Sequence, residues 1–377
     1  MKILIGVTSY LSYKLIEGQI NYLVNKGNEV CFVSSFNENT KDKVEKELGK
    51  YYPIEMEREI NPIKDFISLI KIYFLLKKLK PDVINVSTPK AALLFTIISK
   101  LFFRNKIKTI FTLRGLRSDT LTGLKYRIVF LTEKITCYLA DKIIVISPSL
   151  EQHAINKKLF SKSKSEVVLK GSSNGININK FRKVNNNLRE VLKISEDTIV
   201  YGYVGRLVND KGIRELFDAF QLLKAKHKNV KLLLIGSYNE ADCIDKNLLN
   251  KIINDTSIIL IDYTENIEEY YSIMDVFILF SYREGFGNVV IEAGLMEVPA
   301  LVSNIPGLKD TIVDGETGFL VESKNVKSLV SKMDLLYKEK DLRLKFGQSS
   351  KERILNFFSH DKIWDGQLSI YKKLINK

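Results

Sequence analysis

Two carboxylates, Glu284 and Glu292, stand on either side of a glycine turn in the stretch Arg283-Glu284-Gly285-Phe286-Gly287-Asn288-Val289-Val290-Ile291-Glu292. A strand, a glycine turn and a helix N-terminus in that order make an anion site. The free amides of a first helical turn and the helix dipole both favour a phosphate or a polar sugar, and glycine lets the backbone approach a ligand closely. The elements that must position this turn are legible beside it. Asp275 to Phe280 is an apolar run bounded by turn signals, as expected of a buried parallel strand, and a short helix is expected from Val289 to Met296. Residue types alone carry the reading to a polar, phosphorylated ligand.

A second group of residues suits the same ligand. The expected strand Ile199–Val204 ends in Gly205-Arg206, and Lys211-Gly212 precedes a helix expected over Ile213–His227. Two cations at the carboxyl end of a parallel strand, next to a helix N-terminus, fit a diphosphate: arginine forks onto two oxygens and lysine supplies a mobile point charge. A solvated loop pair is the plainer alternative. So is a capping role for Glu284 and an exposed helical position for Glu292.

Composition narrows the classes. The chain has 377 residues, 45% of them hydrophobic and 10% aromatic, enough for two globular domains and against disorder. Met1-Lys2 runs directly into an expected strand, with no signal-peptide pattern, and the longest apolar stretch, Ala91 to Phe103, is broken by Lys100 and too short to span a bilayer. Cys31, Cys137 and Cys243 form no CxxC pair and are expected as buried thiols in a reducing cytoplasm. The net charge of +14 is lopsided: residues 1–175 hold 29 Lys and Arg against 16 Asp and Glu, whereas residues 176–377 hold 29 against 28. The first half therefore expects an acidic partner. Zinc spacing, RNP-like aromatics and helix-turn-helix signals are absent, which argues against nucleic acid and leaves an anionic membrane surface; a merely solvated, lysine-rich surface is the alternative.

Apolar runs alternate with helical stretches throughout, the pattern of an α/β protein with parallel sheets. In the first half the runs are Ile3–Val7, Val30–Ser34, Asp82–Val86, Thr109–Leu113 and Lys142–Ser147. In the second they are Ile199–Val204, Lys231–Ile235, Ile258–Ile261, Val276–Phe280 and Ala300–Ser303. Gly171-Ser172-Ser173-Asn174-Gly175 and the polar stretch to Asn187 read as the connection between two domains. Neither half carries GxGxxG, which counts against a dinucleotide oxidoreductase.

The ordered set EGFGNVVIEA, Pro299-Ala300-Leu301-Val302, Pro306-Gly307 and Asp314-Gly315-Glu316-Thr317-Gly318-Phe319-Leu320-Val321, together with GRLVNDKG at 205–212, resembles the retaining glycosyltransferases of family 4. Within that family it looks most like enzymes of bacterial capsule and O-antigen assembly, and the likeness runs from the first strand to the last helix. The resemblance implies a GT-B fold: two doubly wound Rossmann-like domains with parallel sheets facing an interdomain cleft. Residues 1–175 would bind the acceptor, completed by a C-terminal helix over residues 359–377 with Trp364 as its anchor. Residues 176–358 would bind the nucleotide-sugar donor.

By the same resemblance, Arg206 and Lys211 would clamp the diphosphate and Glu292 would accept hydrogen bonds from the ribose hydroxyls. Glu284 would face the transferred sugar, with the backbone of Gly285, Phe286, Gly287, Asn288 and Val289 reaching its hydroxyls and the β-phosphate. Gly205, Gly236 and Tyr263 complete the expected donor pocket, with UDP as the expected carrier. Asp-x-Asp is absent, so no metal and no cofactor is expected, the cations taking the metal's place. Many members carry a histidine after the fourth strand of the first domain, where this chain reads Thr112-Leu113-Arg114-Gly115. Arginine stays protonated and cannot act as a base; Arg114 is expected to bind a phosphate or steady the sugar, with a structural ion pair as the alternative. His153, His227 and His360 lie elsewhere and read as structural.

The segment Ile63–Lys80 has apolar residues at near-helical spacing among lysines, which suits either an interfacial helix or a core helix. Capsule-type relatives extend a glycan on polyprenyl diphosphate, so the implied partners are a nucleotide-sugar, a lipid-linked oligosaccharide acceptor and an anionic membrane, and the implied location is the inner face of the cell membrane. The competing functions are a non-catalytic nucleotide-sugar-binding partner of another transferase and a sugar-nucleotide 2-epimerase on the same fold.

Overall fold

The computed structural model describes residues 1–57, 61–104, 106–183, 187–238 and 243–376. Part of the polar stretch expected to link the domains, residues 184–186, lies outside them. The chain divides into two compact units, Met1–Gly175 with His360–Lys377, and Ile176–Ser359.

The first unit is built on strands β1 (Lys2–Gly6), β2 (Glu29–Ser34), β3 (Lys50–Pro53), β4 (Val83–Val86), β5 (Lys108–Leu113), β6 (Lys142–Val145) and β7 (Ser165–Glu166). All pair in parallel, in the order β3-β2-β1-β4-β5-β6-β7. The central strands are buried on both faces, as continuous apolar runs such as Ile3-Leu4-Ile5 and Ile143-Ile144-Val145 require. The C-terminal helix, His360–Ile375, belongs to this unit: Ile363, Leu368, Ile370 and Tyr371 share one apolar cluster with Ile3, Ile5, Val7 and Ile20. Trp364 is 6% exposed and its indole N–H donates to Asn174 Oδ1 at 2.7 Å.

The second unit repeats the plan with β8 (Ile199–Val204), β9 (Val230–Ile235), β10 (Ile258–Ile261), β11 (Val276–Leu279), β12 (Ala300–Ser303) and β13 (Gly318–Val321), again all parallel, in the order β10-β9-β8-β11-β12-β13. Three strands escaped the sequence reading: β3, β7 and β13. Each is a short sheet edge: β3 and β7 lack the continuous apolar run that marks a central strand, while β13, Gly318-Phe319-Leu320-Val321, follows directly on a glycine-rich turn with only three apolar residues.

The helix expected over Ile213–His227 ends at Lys224, and the one expected from Val289 to Met296 spans Asn288–Leu295. Cys31 and Cys137 are buried free thiols, pushed up to about 11 and about 12 by burial. Cys243 corrects the expectation: it is half-buried, its thiol directed at the carbonyls of Tyr238 and Leu207. Among the described residues no helix is long and apolar enough to cross a membrane.

Candidate functional site

In the second unit the chain runs from β8 outward through β9 to β10, then returns to the other side of β8 for β11. The strand order therefore reverses between β8 and β11, and a doubly wound sheet opens a ligand crevice at the carboxyl ends of the strands where that happens. The expected donor residues converge there. Gly205 and Arg206 follow β8, Gly236 follows β9, and Glu284 follows β11.

Close backbone packing sets these loops. Gly236 has φ +143°, and a Cβ there would stand 2.0 Å from the Gly205 carbonyl oxygen, so only glycine lets the turns after β8 and β9 touch. Gly212, at φ +66°, presses on the end of β11: a Cβ would lie 2.2 Å from the Phe280 carbonyl oxygen. The same approach is held by Tyr282 N–H donating to the Asp210 carbonyl at 2.8 Å. The Lys211 turn is thereby fixed against the Glu284 loop, and the Lys211 ammonium forms an ion pair with the Glu284 carboxylate. Ser281 Oγ donates to the same Glu284 oxygen at 3.1 Å. Both partners of the pair are shielded, their side chains 18% and 17% exposed.

Beyond the turn, Gly287 caps the helix Asn288–Leu295 from the left-handed region (φ +72°) and offers no side-chain cap. Val290 N–H donates to the Gly287 carbonyl at 2.9 Å, and the amides of Asn288 and Val289 before it receive no side-chain cap. The Asn288 Oδ1 atom is buried beside them without a hydrogen-bond partner, an arrangement that a bound polar molecule would complete. Phe286 contributes only backbone, since its ring is 2% exposed and packs on Phe358 at 5.4 Å.

One turn further, Glu292 accepts a hydrogen bond from the Tyr271 hydroxyl at 3.0 Å. The residue keeps some accessible surface, but its carboxyl lies deep enough that burial raises its pKa above the ordinary range, against the opposing pull of Tyr271 and Lys180. Tyr271 and Ser281 hold the two glutamates: Tyr271 reaches Glu292 from another element and carried no local signal, whereas Ser281 stands in the same turn as Glu284 and was passed over.

Two expected residues stand apart. Tyr263 follows the edge strand β10, two strands from β8, and is 60% exposed. Arg114 belongs to the first unit, after β5. Its guanidinium is buried, which lowers it to about 10 and leaves it charged at neutral pH. Nη2 donates to the Leu15 carbonyl at 3.3 Å, while Nε and Nη1 are buried without partners. No carboxylate answers it, so the structural ion pair offered as an alternative does not form among the described residues. A buried polar chain lies beneath: Thr112 Oγ1 donates to Asn85 Oδ1 at 2.7 Å, and Asn85 Nδ2 donates to the Tyr371 hydroxyl at 2.6 Å.

All three histidines have structural partners. His153 meets Asp119 at 3.0 Å, His227 meets Asp334 at 2.6 Å, and His360 meets the Asn174 carbonyl at 2.7 Å. Among the described residues no cluster of three or more His, Cys, Asp or Glu side chains could hold a metal ion.

Two doubly wound parallel-sheet units, one carrying cations and an uncapped helix at its switch point, define the GT-B class of glycosyltransferases. Residues 15–179 match the family described as Glycosyltransferase Family 4, and residues 184–353 match Glycosyl transferases group 1. The chain is 39% identical over 372 residues to a capsular polysaccharide biosynthesis glycosyltransferase, CapM of Staphylococcus aureus, covering 98% of this chain and 97% of the relative. It is 22% identical to a UDP-Gal:alpha-D-GlcNAc-diphosphoundecaprenol alpha-1,3-galactosyltransferase of Escherichia coli, covering 89% and 86%. The solved structure of Anabaena Alr3699/HepE with UDP shares the fold with a TM-score of 0.82 at 16% identity, covering 99% of this chain and all of that one. This chain belongs to the family 4 glycosyltransferases.

Proposed function

We propose that this glycosyltransferase moves a sugar from a UDP-sugar to a lipid-linked oligosaccharide, with retention and without a metal, in the assembly of a bacterial surface polysaccharide such as a capsule. The observation that carries the reading is the convergence of Arg206, Lys211 and the uncapped Asn288 helix at the β8–β11 switch point. A diphosphate seated there meets two cations and a positive helix terminus.

The chemistry follows from that placement. As the bond from the anomeric carbon to the β-phosphate oxygen breaks, negative charge builds on the diphosphate. Arg206, Lys211 and the helix N-terminus, all following the carboxyl ends of β8 and β11, stabilise that charge, which is preorganised electrostatic stabilisation. The acceptor hydroxyl attacks from the face the diphosphate leaves, and the departing phosphate oxygen takes its proton. Glu292 receives the ribose hydroxyls, and Glu284 orients the sugar from its contacts with Lys211 and Ser281. The Arg114 guanidinium, with two unpartnered nitrogens, supplies a phosphate contact in the first unit.

Supporting the acceptor class are the capsule role in the name of the Staphylococcus relative and the diphosphoundecaprenol substrate in the name of the Escherichia relative. The UDP in the Anabaena complex supports the carrier. Such an acceptor also places the enzyme at the inner face of the membrane.

The test is a panel of UDP-sugars offered to wild type and Glu284→Ala, reading both thermal shift and transfer. A true donor stabilises both proteins by mass action while Glu284→Ala loses transfer by about a hundredfold or more. Equal transfer by the two proteins contradicts the role of Glu284, and binding without transfer by wild type points to a non-catalytic binding partner.

A further inference from the structure

The helix Gly123–Leu139 is inside out. Its buried positions are Glu133, Thr136 and Cys137, while Leu124, Ile128, Leu131, Ile135 and Tyr138 are exposed, Leu124 by 73% and Tyr138 by 79%. Steps of four and three residues put those five on one stripe, on the side of the helix opposite Glu133. Glu133 is held where a core residue would normally sit: its carboxylate accepts from Ser118 Oγ at 2.6 Å and from the Arg117 amide at 2.7 Å. An apolar stripe at this spacing ordinarily faces a core. Here it faces out.

The helix Pro62–Leu79 repeats the arrangement. It buries Ser68, Ile72, Leu76 and Leu79, and on its opposite side exposes Ile63, Phe66, Ile67, Ile70 and Phe74. One face of this segment is therefore core, as one of the two readings expects, while the opposite face stays apolar and exposed. Between these helices in sequence lies Pro89–Phe102, exposed through Leu101 and Phe102 at its end. The connections from β3 to β4, β4 to β5 and β5 to β6 all step the same way across the sheet. Right-handed crossovers consequently set the three helices side by side on one face, and they pack in that order. Together they hold twelve of the twenty-four large apolar side chains exposed among the described residues.

Charge identifies the occupant. Lys71, Lys77 and Lys78 border the first stripe, and Lys125, Arg127 and Lys134 border the second. The two carboxylates on these helices are withdrawn: Asp65 is bound by Lys90 at 2.7 Å, and Glu133 is buried. A groove of about 400 Å³ beside the first stripe is lined by Ile54, Ile70, Phe74, Lys71 and Lys78, apolar with cations at hand, as a lipid chain below its phosphate requires. A second copy of this chain would bring lysine against lysine. We propose that this three-helix face docks on an anionic bilayer, the apolar stripes entering the headgroup boundary and the lysines contacting lipid phosphates. The assignment rests, for its biological sense, on the membrane-resident acceptor proposed above.

The full chain is floated with phosphatidylcholine vesicles and with vesicles that also contain phosphatidylglycerol. Wild type is expected on the anionic vesicles, with binding at least about tenfold weaker on the neutral ones and in high salt. The triple variant Ile128→Ser, Leu131→Ser, Ile135→Ser is expected to stay behind with an unchanged melting temperature, whereas Leu222→Ser, an exposed apolar change in the other unit, floats normally. Should the serine variant fold poorly, Lys71→Gln, Lys77→Gln, Lys78→Gln reads the same face through a reduced salt dependence. Wild type left unbound, serine and glutamine variants that float like wild type, or a self-association lost in these variants, overturns the proposal. Because these vesicles contain no acceptor, transfer to a detergent-solubilised lipid-linked acceptor is measured in parallel. Intact transfer without flotation refutes the docking face alone; flotation without transfer refutes the enzymatic reading alone.

Discussion

Glu292, proposed to receive the ribose hydroxyls, carries a cost to the fold. Burial raises its pKa, so the folded state favours the protonated acid. That preference stabilises the protein at pH below the ordinary carboxyl value and is lost as pH rises through the raised one; at neutral pH the charge is a burden. Glu292→Gln should therefore raise the melting temperature of the ligand-free protein by a few degrees, on the order of 1 kcal/mol. The same change should weaken donor binding about tenfold, seen as a smaller thermal shift on adding the donor. A lower melting temperature would contradict the desolvated carboxylate. Arg206→Ala and Lys211→Met should each lower kcat by about a hundredfold while KM for the donor changes less, because their charge is matched to the departing diphosphate. Steady-state kinetics decides this; a KM effect alone would make them simple binding residues. At this scale the sequence exposed Glu284 and Glu292 because their spacing and glycines are local. It hid Tyr271, since a hydroxyl that orients a carboxylate from another element has no pattern of its own, while Ser281, in the same turn as Glu284, is a short polar residue that nothing but the folded turn singles out.

Among the elements, the loops after β8, β9 and β11 act as one unit because their backbones touch. Gly212→Ala would force a Cβ against the Phe280 carbonyl and should cost about 2 kcal/mol or more in stability, together with most of the activity, as the Lys211 turn is displaced. Chemical denaturation and transfer assays on the purified variant read both losses. Strand cores such as Ile3-Leu4-Ile5 and Val276-Phe277-Ile278-Leu279 were legible because burial on both faces leaves an unbroken apolar run. The edges β3 and β7 were not, because half-covered strands of two to four residues carry mixed composition, and β13 was not, because its three apolar residues are too short a run beside a glycine turn. The inverted helix Gly123–Leu139 lay beyond sequence reading for a different reason. Its periodicity is that of an ordinary amphipathic helix, and only the packed structure says which stripe faces the sheet.

For the whole molecule, the last helix is what closes the first unit. Trp364→Ala removes a buried indole and its bond to Asn174, and should cost about 3–5 kcal/mol. His360 stacks on that indole at 4.5 Å, and burial holds its pKa below 6.5. The unfolded chain then takes a proton that the folded one refuses, so this contribution is full above pH 6.5 and declines as pH falls. Thermal melts from pH 8 to pH 5 should show a slope that His360→Gln flattens, roughly in proportion to that single proton. The charge imbalance follows the same division of the molecule: the exposed apolar stripes and the excess of lysine both fall in residues 1–175. That half also holds Arg114, whose buried guanidinium has no carboxylate partner among the described residues.

Metal-free transfer with retention, by cations and helix amides at the β8–β11 switch point, is the proposed chemistry. It is tested most directly by proton NMR of the product formed by wild type in excess EDTA, reading the anomeric coupling of the new linkage. Undiminished product with the donor's anomeric configuration is expected. An inverted linkage, or product that appears only when Mn²⁺ or Mg²⁺ is restored, would contradict it.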